Sequence, residues 1–290
     1  MRVGVTGGKG GTGKSFVAVN LATAIALKRG VCGLIDLDVE APNDYILLGL
    51  DLQSLERVAD ISIPFPRLDP SKCDSCGVCA QVCGSGAIAV FPRSKPIFFP
   101  RLCSGCRACI LACPRGALSE SRRVVGSIYR ARVPLDGGVI VLIEAVMREG
   151  EEHVAPIVVD AVRKIGRVAP IEVVDTGAGA GSHIVSSLRG CERAIIVTEP
   201  TRAALHDLEL ALRICRHLGL RTALVINKAG LGSHERHAEL GHEMGVELVV
   251  EIPYSTDIEH LYCRGRPVYL ENPLHEASRA IEALARWVLE

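Results

Sequence analysis

The chain has 290 residues, of which 48% are hydrophobic, and its 33 Lys and Arg balance 33 Asp and Glu to give a formal net charge of zero. This composition is globular and excludes an intrinsically disordered chain, and the length allows one large domain or two smaller ones. The neutral charge argues against a general nucleic-acid binder, which is normally basic.

Neither a membrane span nor a secretory leader is expected. The longest apolar run, Val139–Val146, is too short to cross a bilayer and is interrupted by Glu144. The first predicted strand begins next to Met1, which leaves no room for a leader peptide. We therefore expect a cytoplasmic protein with no membrane partner.

Strand and helix alternate at the start of the chain. "RVGVT" (2–6) predicts a short strand, and apolar residues at helical spacing predict a helix over Lys14–Arg29. Gly30 follows, where a C-cap glycine belongs. "VCGLID" (31–36) is too apolar to be half-exposed, which predicts a strand inside a parallel sheet.

Between the first strand and the first helix lies "GGKGGTGKS" (7–15), which satisfies the P-loop pattern. Its glycines let backbone N–H groups surround phosphate oxygens, and the following helix directs its positive end at the same anion. Lys14 is expected to contact the β and γ phosphates, and Ser15 to bind Mg²⁺. The loop residues predicted to bind ATP are Gly8, Gly10, Gly11, Thr12, Gly13, Lys14 and Ser15.

The segment from about 62 to 122 breaks this alternation, because it holds eight of the twelve cysteines. "IPFPRLDP" (63–70) has the proline content of a linker entering the segment. A weak repeat of about thirty residues runs through it, with four cysteines in each half. In a cytoplasmic chain, cysteines at such spacing indicate metal binding rather than disulfides.

Each half carries the spacing C-x₂-C-x₂-C-x₃-C, which is typical of bacterial ferredoxins, where the fourth cysteine binds the other cluster. We predict two [4Fe–4S] clusters, one held by Cys73, Cys76, Cys79 and Cys113, and the other by Cys83, Cys103, Cys106 and Cys109. Zinc is the alternative, but it does not need eight interlocked cysteines. Gly84 stands where a proline usually follows the fourth cysteine, which removes no ligand.

Strand patterns return at "IEVVD", "RAIIVTEP", "TALVINK" and "ELVVEIP", with helical stretches such as Ala203–His217 between some of them. This order predicts an α/β protein with a doubly wound, mostly parallel sheet. We expect the P-loop ATPase domain to comprise residues 1–61 and 123–290, and a small α+β ferredoxin-like domain, residues 62–122, to be inserted into it. The C-terminal segment is predicted to be a packed helix.

The second lysine of the loop, Lys9, makes "KGGTGKS" resemble the deviant Walker A motif of the MinD/ParA/Mrp ATPases, relatives of the nitrogenase iron protein. The resemblance implies that Lys9 reaches across a dimer to the partner's nucleotide. In "DLDVEAPN" it implies that Asp38 activates the attacking water and that Asp36 lies close to Mg²⁺. The remaining implied residues are the Walker B carboxylate Asp175 in "VVDTGAG", the base contact Asn227 in "VINK", and the later loop at Pro253 and Tyr254.

The chain departs from the relatives that carry an inserted ferredoxin segment. Many of them have a Pro-Pro-Gly switch followed by a cysteine, whereas this chain reads "DTGAGAGSH", with Gly177 and Ala178 in place of the prolines. His183 in that stretch is a catalytic or relay group or, as we favour, a structural or surface histidine. The C-terminal half has no C-x-x-C, so an intersubunit cluster is not expected. The isolated Cys32, Cys191, Cys215 and Cys263 are expected to be small buried apolar residues.

The motifs together predict an ATPase in which ATP binding closes a homodimer, or a heterodimer with a related ATPase, and thereby gates electron transfer to or from a redox partner. An assembly factor that loads Fe–S clusters or metal into a client protein is the alternative. A ParA-like positioning ATPase is a third hypothesis, which the neutral charge disfavours because such a protein would bind DNA.

Overall fold

The structure is a computed structural model that describes all 290 residues. It contains eleven strands and eleven α-helices. The strands are β1 (Arg2–Thr6), β2 (Val31–Leu37), β3 (Glu56–Leu68), β4 (Ile88–Ala89), β5 (Ile97–Phe98), β6 (Leu118–Leu135), β7 (Gly138–Met147), β8 (Glu172–Thr176), β9 (Arg193–Thr198), β10 (Arg221–Ala229) and β11 (Leu248–Pro253). The helices are α1 (Lys14–Arg29), α2 (Asp44–Leu47), α3 (Val78–Gln81), α4 (Ala108–Leu111), α5 (Val154–Ile165), α6 (Ser182–Leu188), α7 (Arg202–His217), α8 (Glu235–Glu243), α9 (Thr256–Cys263), α10 (Val268–Glu271) and α11 (Glu276–Leu289).

Nine strands form one sheet in the order β11-β10-β9-β1-β8-β2-β7-β6-β3. The seven strands from β11 to β7 are parallel, and β6 and β3 add an antiparallel edge. The predicted doubly wound, mostly parallel sheet is therefore confirmed. The carboxyl ends of β1, β2 and β8 meet at one edge of the sheet, where ligands bind in this class of fold.

Helices cover both faces of the sheet, which is why its central strands are apolar throughout. Leu34 and Ile35 are neighbours on β2 and are buried in different hydrophobic clusters, one on each face. Helices α1 and α11 pack on the first face, and α5, α6 and α7 pack on the second. The C-terminal α11 buries Ile281, Leu284 and Trp287, as expected of a packed helix. None of the helices has both the length and the apolar character that a bilayer crossing needs.

The helix predicted after the P-loop is α1, which begins at Lys14 and ends at Arg29. Gly30 follows in the left-handed conformation with φ 81°, which a residue without a Cβ adopts at little cost. The last turn carries Lys28 and Arg29, whose charges suit the negative end of the helix. This helix places the P-loop at its positive end.

The expected linker "IPFPRLDP" is instead part of a long strand, so that prediction was wrong. Strands β3 and β6 pair along their length as an antiparallel ribbon that extends the sheet into the cysteine segment. Pro64 and Pro66 are tolerated because β3 is the edge strand, where one side of the backbone needs no partner. The register shifts between Ile61 and Ser62, next to the predicted boundary at residue 62. The buried Asp160 of α5 accepts a hydrogen bond from the backbone N–H of Ser62 there, at 2.8 Å.

The cysteine segment beyond the ribbon has a backbone that repeats every thirty residues. Helices α3 and α4 occupy equivalent positions in the two halves, and β4 and β5 form a short hairpin between them. Left-handed backbone conformations recur in pairs thirty residues apart, at Ser75 and Gly105, Gly77 and Arg107, and Gly86 and Gly116. The weak repeat predicted from the sequence is thus a structural repeat.

Candidate nucleotide site and cysteine cavities

The P-loop runs from the end of β1 to the start of α1 and depends on glycine at several points, which include Gly8, Gly11 and Gly13. A Cβ on Gly8 would lie 1.9 Å from the Cβ of Asp207 on α7, so only glycine fits there. Gly11 and Gly13 have φ of 79° and 94°, in the left-handed region that turns the loop. The predicted phosphate-binding loop therefore has the backbone that such a loop requires.

The two loop lysines make different contacts. The ammonium of Lys14, which is 6% exposed, donates to the carbonyl of Lys9 at 3.3 Å. The Nζ of Lys9 lies 2.5 Å from Glu199 Oε1, and Lys228 Nζ lies 3.2 Å from Glu199 Oε2. Lys228 also donates to the carbonyl of Gly11 at 2.8 Å. In this single chain Lys9 is thus paired in cis with Glu199, and its predicted reach across a dimer stays a prediction.

An open pocket beside the P-loop collects five of the residues predicted to bind the nucleotide, which are Gly11, Gly13, Asn227, Pro253 and Tyr254. The amide of Asn227 donates to the carbonyl of Thr12 at 2.8 Å and is 8% exposed. Asn227 therefore joins the end of β10 to the loop, while its predicted base contact is not tested. Tyr262 and Cys263 of α9 also line the pocket, and sequence reasoning missed both.

Four carboxylates meet at the carboxyl ends of the central strands. Asp36 of β2 is in register with Asp175 of β8 on one side and with Glu144 of β7 on the other. Asp44, at the start of α2, joins them, and all four residues are 0% exposed. One carboxylate oxygen from each of Asp36, Asp44 and Asp175 lies within 4.8 Å of the others. We call these four residues the acidic cluster.

Hydrogen bonds to Asp36 shape the loop that follows β2. Its Oδ1 accepts from the backbone N–H of Asp38 at 2.8 Å, and its Oδ2 accepts from Asn43 at 2.9 Å and from Asp44 at 3.3 Å. Glu144 Oε1 accepts from the N–H of Tyr45 at 2.8 Å. The acidic cluster thereby fixes residues 36–45 around itself.

The acidic cluster is electrostatically unfavourable without a counter-charge. Burial and neighbouring carboxylates raise the pKa of Asp36 to about 6 and hold the pKa values of Asp44, Glu144 and Asp175 well above their ordinary range. At an effective dielectric constant of about 20, two unit charges at about 4.8 Å repel by roughly 3.5 kcal/mol. Lys14 opposes the rise in the pKa of Asp175 without reversing it. Protons or a cation must therefore neutralise the acidic cluster.

Ser15 and Asp38, two further predicted site residues, border this region. Ser15 is half-buried at the start of α1, and its hydroxyl lowers the pKa of Asp175 against the larger effect of burial. Asp38 is half-buried, and its Oδ1 would lie 3.5 Å from a Cβ on Gly177. The predicted magnesium ligands Ser15, Asp36 and Asp175 are thus brought together, and Asp38 lies beside the altered switch.

His183 closes the altered switch with a hydrogen bond. Its Nε2 pairs with the carbonyl of Ala178 at 3.1 Å, and its Cδ2 would lie 3.5 Å from a Cβ on Gly177. The loop therefore folds against its own helix, α6, with Gly177 and Ala178 in the switch. This contact is of the kind that a structural histidine makes, and the choice between that role and a catalytic or relay role stays a prediction.

The eight clustered cysteines line two separate cavities in the insert. The first, which we call the Cys73 cavity, is lined by Cys73, Cys76, Cys79 and Cys113. The second, which we call the Cys103 cavity, is lined by Cys83, Cys103, Cys106 and Cys109. Each cavity takes three cysteines from one half of the repeat and the fourth from the other half. These are the two sets that the ferredoxin spacing predicted.

The backbone supports the sulfur atoms in both cavities. Ala87 N–H donates to Cys83 Sγ at 3.2 Å, and Ala117 N–H donates to Cys113 Sγ at 3.3 Å. Burial raises the pKa of Cys109 to about 11 and also raises that of Cys79. A bound metal centre is what converts such thiols to thiolate ligands at neutral pH. The donor set therefore fits an iron–sulfur cluster in each cavity.

The spacing of the sulfur atoms is wider than a single zinc ion needs. Four sulfurs at about 2.3 Å from a tetrahedral zinc lie about 3.8 Å from one another. Only one set of three side chains among His, Cys, Asp and Glu has its ligand atoms all within 4.8 Å of one another. That set is Asp36, Asp44 and Asp175. No three cysteine sulfurs come that close, whereas a four-iron cube holds its sulfur ligands farther apart.

The four isolated cysteines do not share one environment. Cys32, Cys191 and Cys215 are buried, and burial raises the pKa of each. They are the small apolar residues that the sequence predicted. Cys263 is exposed beside the nucleotide pocket, so the prediction was wrong for that residue. It ends the short helix α9, none of whose residues is buried.

Comparisons with known proteins agree with the P-loop and the fold. Over its whole length the chain is 30% identical to the uncharacterized protein MJ0579 of Methanocaldococcus jannaschii, of which it covers 98%. It is 46% identical to the iron-sulfur cluster carrier protein of Saccharolobus solfataricus over 54 residues, which are 19% of this chain and 18% of that protein.

A solved structure shares the fold. The septum site-determining protein MinD of Pyrococcus horikoshii, complexed with Mg-ADP, matches with a TM-score of 0.59 and 19% identity over 99% of this chain and 95% of that one. The family model described as the CobQ/CobB/MinD/ParA nucleotide binding domain matches residues 3–268. The chain therefore belongs to the CobQ/CobB/MinD/ParA family of P-loop nucleotide-binding proteins.

Proposed function

We propose that this chain is an ATP-hydrolysing iron–sulfur protein in which a nucleotide-driven dimer switch controls electron transfer through two [4Fe–4S] clusters. The observation that carries the proposal is the pair of cysteine cavities on a ribbon that continues the ATPase sheet. The ATPase domain comprises 1–61 and 123–290, and the ferredoxin-like insert comprises 62–122. The protein works in the cytoplasm, without nucleic-acid or membrane partners.

The cavities support two clusters because each offers four cysteines, and the one carboxylate in the lining of the Cys73 cavity, Asp74, is paired with Arg115. In the Cys73 cavity Cys113 completes the set, and in the Cys103 cavity Cys83 does so. Clusters of this type, when bound, supply one-electron carriers whose potentials are set by the surrounding hydrogen bonds and exposure. The chain itself contributes the thiolates, the N–H donors to sulfur and the partial burial of each cavity.

ATP binding uses the P-loop and the strand ends. Backbone N–H groups of residues 8–15 and Lys14 hold the phosphates, and Asn227, Pro253 and Tyr254 border the base. Ser15, Asp36 and Asp175 hold Mg²⁺, while Asp38 orients the attacking water. Lys14→Ala should abolish ATP binding and leave both clusters in place, because the phosphate site and the cysteine cavities use separate parts of the chain.

A continuous set of contacts joins the nucleotide site to the Cys103 cavity. The carbonyl of Val39, next to Asp38, accepts from the N–H of Met147 at 2.9 Å. Six residues later, His153 Nε2 pairs with the carbonyl of Leu102 at 2.9 Å, directly before Cys103. A movement of the loop around Asp38 can therefore be transmitted to the backbone that carries a cluster ligand.

A second link lies beside the first. Glu151 lies between Met147 and His153. Both terminal nitrogens of Arg123 donate hydrogen bonds to its carboxylate, one of them at 2.7 Å to Oε2. Arg123 lies on β6, the ribbon strand that leads out of the insert. Fork-shaped pairs of this kind fix orientation as well as distance. Segment 147–153 is thus held by the insert through Leu102 and by the ribbon through Arg123, which supports coupling between nucleotide state and cluster environment.

The discriminating experiment is an anaerobic redox titration with and without ATP. The purified protein should contain about eight irons per chain, as two four-iron clusters require. ATP or a non-hydrolysable analogue should shift the potential of at least one cluster. Stoichiometric zinc without acid-labile sulfide would remove the cluster assignment, and potentials that ignore the nucleotide would remove the coupling.

His153→Ala tests the coupling contact separately. The variant should keep both clusters and ATP turnover but lose most of the ATP-induced change in cluster potential, because alanine has no imidazole to bond the carbonyl of Leu102. His242→Ala is the matched control, since His242 is an exposed histidine on α8, away from the insert. An unchanged ATP response in His153→Ala would show that the signal takes another route.

An Fe–S cluster or metal assembly ATPase is the second candidate, and the short matches to iron-sulfur cluster carrier proteins favour it. In that function a cluster would leave the chain for a client protein. Incubation with an apo-acceptor of a four-iron cluster separates the two functions. Transfer of iron and sulfide that requires ATP would support assembly, and retention of about eight irons through many reduction cycles would support electron transfer.

A further inference from the structure

Three members of the acidic cluster, Asp44, Glu144 and Asp175, have carboxylate oxygens with no hydrogen-bond partner in the chain. Asp44 is 0% exposed, and neither of its carboxylate oxygens has a hydrogen-bond partner. Glu144 is also 0% exposed, and its Oε2 has none. Buried polar atoms are rarely left in this state, because desolvation without a partner is costly. Neither Asp44 nor Glu144 belongs to the set that holds Mg²⁺ with ATP in the proposed function.

No basic side chain supplies the missing charge. Every ion pair in the structure leaves out Asp36, Asp44, Glu144 and Asp175. Lys14, whose charge acts on Asp175, directs its ammonium to the carbonyl of Lys9. The oxygens of Asp44 instead point to those of Asp36 and Asp175, with one atom of each within 4.8 Å of the others. That spacing suits three oxygen ligands around one ion.

We propose that Asp36, Asp44 and Asp175, with Glu144 beside them, form a divalent-cation site that fills before any nucleotide binds. Asp44 is the residue that distinguishes this site from one completed by phosphate oxygens. A cation bound here would await ATP in the pocket, and the nucleotide would join a metal already in place. The inference does not depend on nucleotide hydrolysis or on the clusters.

The chemistry of the ligands limits the ion to a hard divalent cation. All the donors are carboxylate oxygens, which suit Mg²⁺ and Mn²⁺, whereas the softer metals prefer imidazole or thiolate ligands. Asp36 already accepts three backbone N–H groups and is held rigidly. Glu144 is held through Oε1 by the N–H of Tyr45, which leaves Oε2 as a fourth ligand or as the holder of one proton.

The test is an Mn²⁺ titration of the nucleotide-free holoprotein, kept oxidised under anaerobic conditions and followed by the loss of the free-ion EPR signal. We expect one Mn²⁺ per chain, displaced by excess Mg²⁺. Asp44→Asn should weaken Mn²⁺ binding by about tenfold or more, because it removes one of three charged ligands. Glu40→Gln is the matched control, since Glu40 is an exposed carboxylate in the same loop, and it should bind as the wild type does.

Ser15→Ala separates cation binding by the nucleotide-free protein from the coordination that ATP completes. It removes a ligand of the Mg²⁺ that accompanies ATP, and Mn²⁺ binding by the nucleotide-free protein should persist. If Asp44→Asn does not fold, Asp44→Glu, which keeps the charge and displaces the oxygens, takes its place, with a change in the Mn²⁺ EPR line shape expected. A wild type that takes up no Mn²⁺ without nucleotide, and so neutralises the acidic cluster with protons, would overturn the proposal. Equal Mn²⁺ affinity in the wild type and the Asp44 variant would also overturn it.

Discussion

Releasing Lys9 from Glu199 should strengthen ATP-dependent dimerisation. In the single chain the Lys9 ammonium lies 2.5 Å from Glu199, whose side chain is 12% exposed, while that of Lys9 is 37% exposed. Burial opposes ionisation of Glu199, but hydrogen bonds from Lys9 and Lys228 outweigh it and lower the pKa of Glu199. Glu199 is therefore ionised at neutral pH. In the proposed dimer Lys9 must leave this partner to reach the other subunit's nucleotide.

The expected size of the effect follows from the exposure of the pair. A half-exposed ion pair contributes on the order of 1 kcal/mol, the upper end of what exposed pairs give. Glu199→Gln removes that cost in both subunits, so the dimer should gain about 2 kcal/mol, which is roughly a 30-fold lower dissociation constant. The difference should shrink in about 1 M salt, where the Debye length falls to about 3 Å.

Sedimentation velocity with a non-hydrolysable ATP analogue measures the dimer constant directly. Glu209→Gln is the matched control, because it breaks a 2.6 Å ion pair with Arg213 on the exposed side of α7. If Glu199→Gln dimerises no more tightly than the wild type, Lys9 is not released on closure. If Glu209→Gln tightens the dimer equally, the effect is one of net charge alone.

Three further predictions follow from other sites. Cys113→Ser should disturb only the cluster of the Cys73 cavity, which EPR of the reduced protein can distinguish. Gly8→Ala should lower ATP affinity in equilibrium binding, because its Cβ would lie 1.9 Å from that of Asp207 and must shift the loop. Burial works against ionisation of Glu282, but Lys28 and two neighbouring donors lower its pKa to about 2. Because solvent screens these partly exposed pairs, Glu282→Gln should lower the free energy of unfolding at pH 7 by about 1 kcal/mol in urea unfolding, a difference that disappears as pH falls from 4.5 towards 2.

The sequence by itself determined the local motifs. The P-loop, the helix from Lys14 to Gly30 and the cysteine spacing are each contained in a short stretch, whose backbone requirements are visible in the residues. Gly13 in the left-handed conformation and the thirty-residue repeat are examples. The exchange of Cys83 and Cys113 between the two cavities could also be predicted. In the ferredoxin spacing, three cysteines on one tight loop hold a cluster, and the fourth ligand comes from the other half of the repeat.

Only the tertiary structure decided which distant side chains meet. Glu144 appeared in the sequence as an interruption of an apolar run, and its position beside Asp36 depends on β7 pairing with β2, more than a hundred residues away. Strand order is a property of the whole sheet, so no local pattern encodes it. The prolines of "IPFPRLDP" predicted a linker. They fit into a strand because β3 lies at the sheet edge, and that position depends on the whole sheet. The pairing of Lys9 with Glu199 likewise depends on β1 and β9 being neighbours, which brings the loops that follow the two strands together.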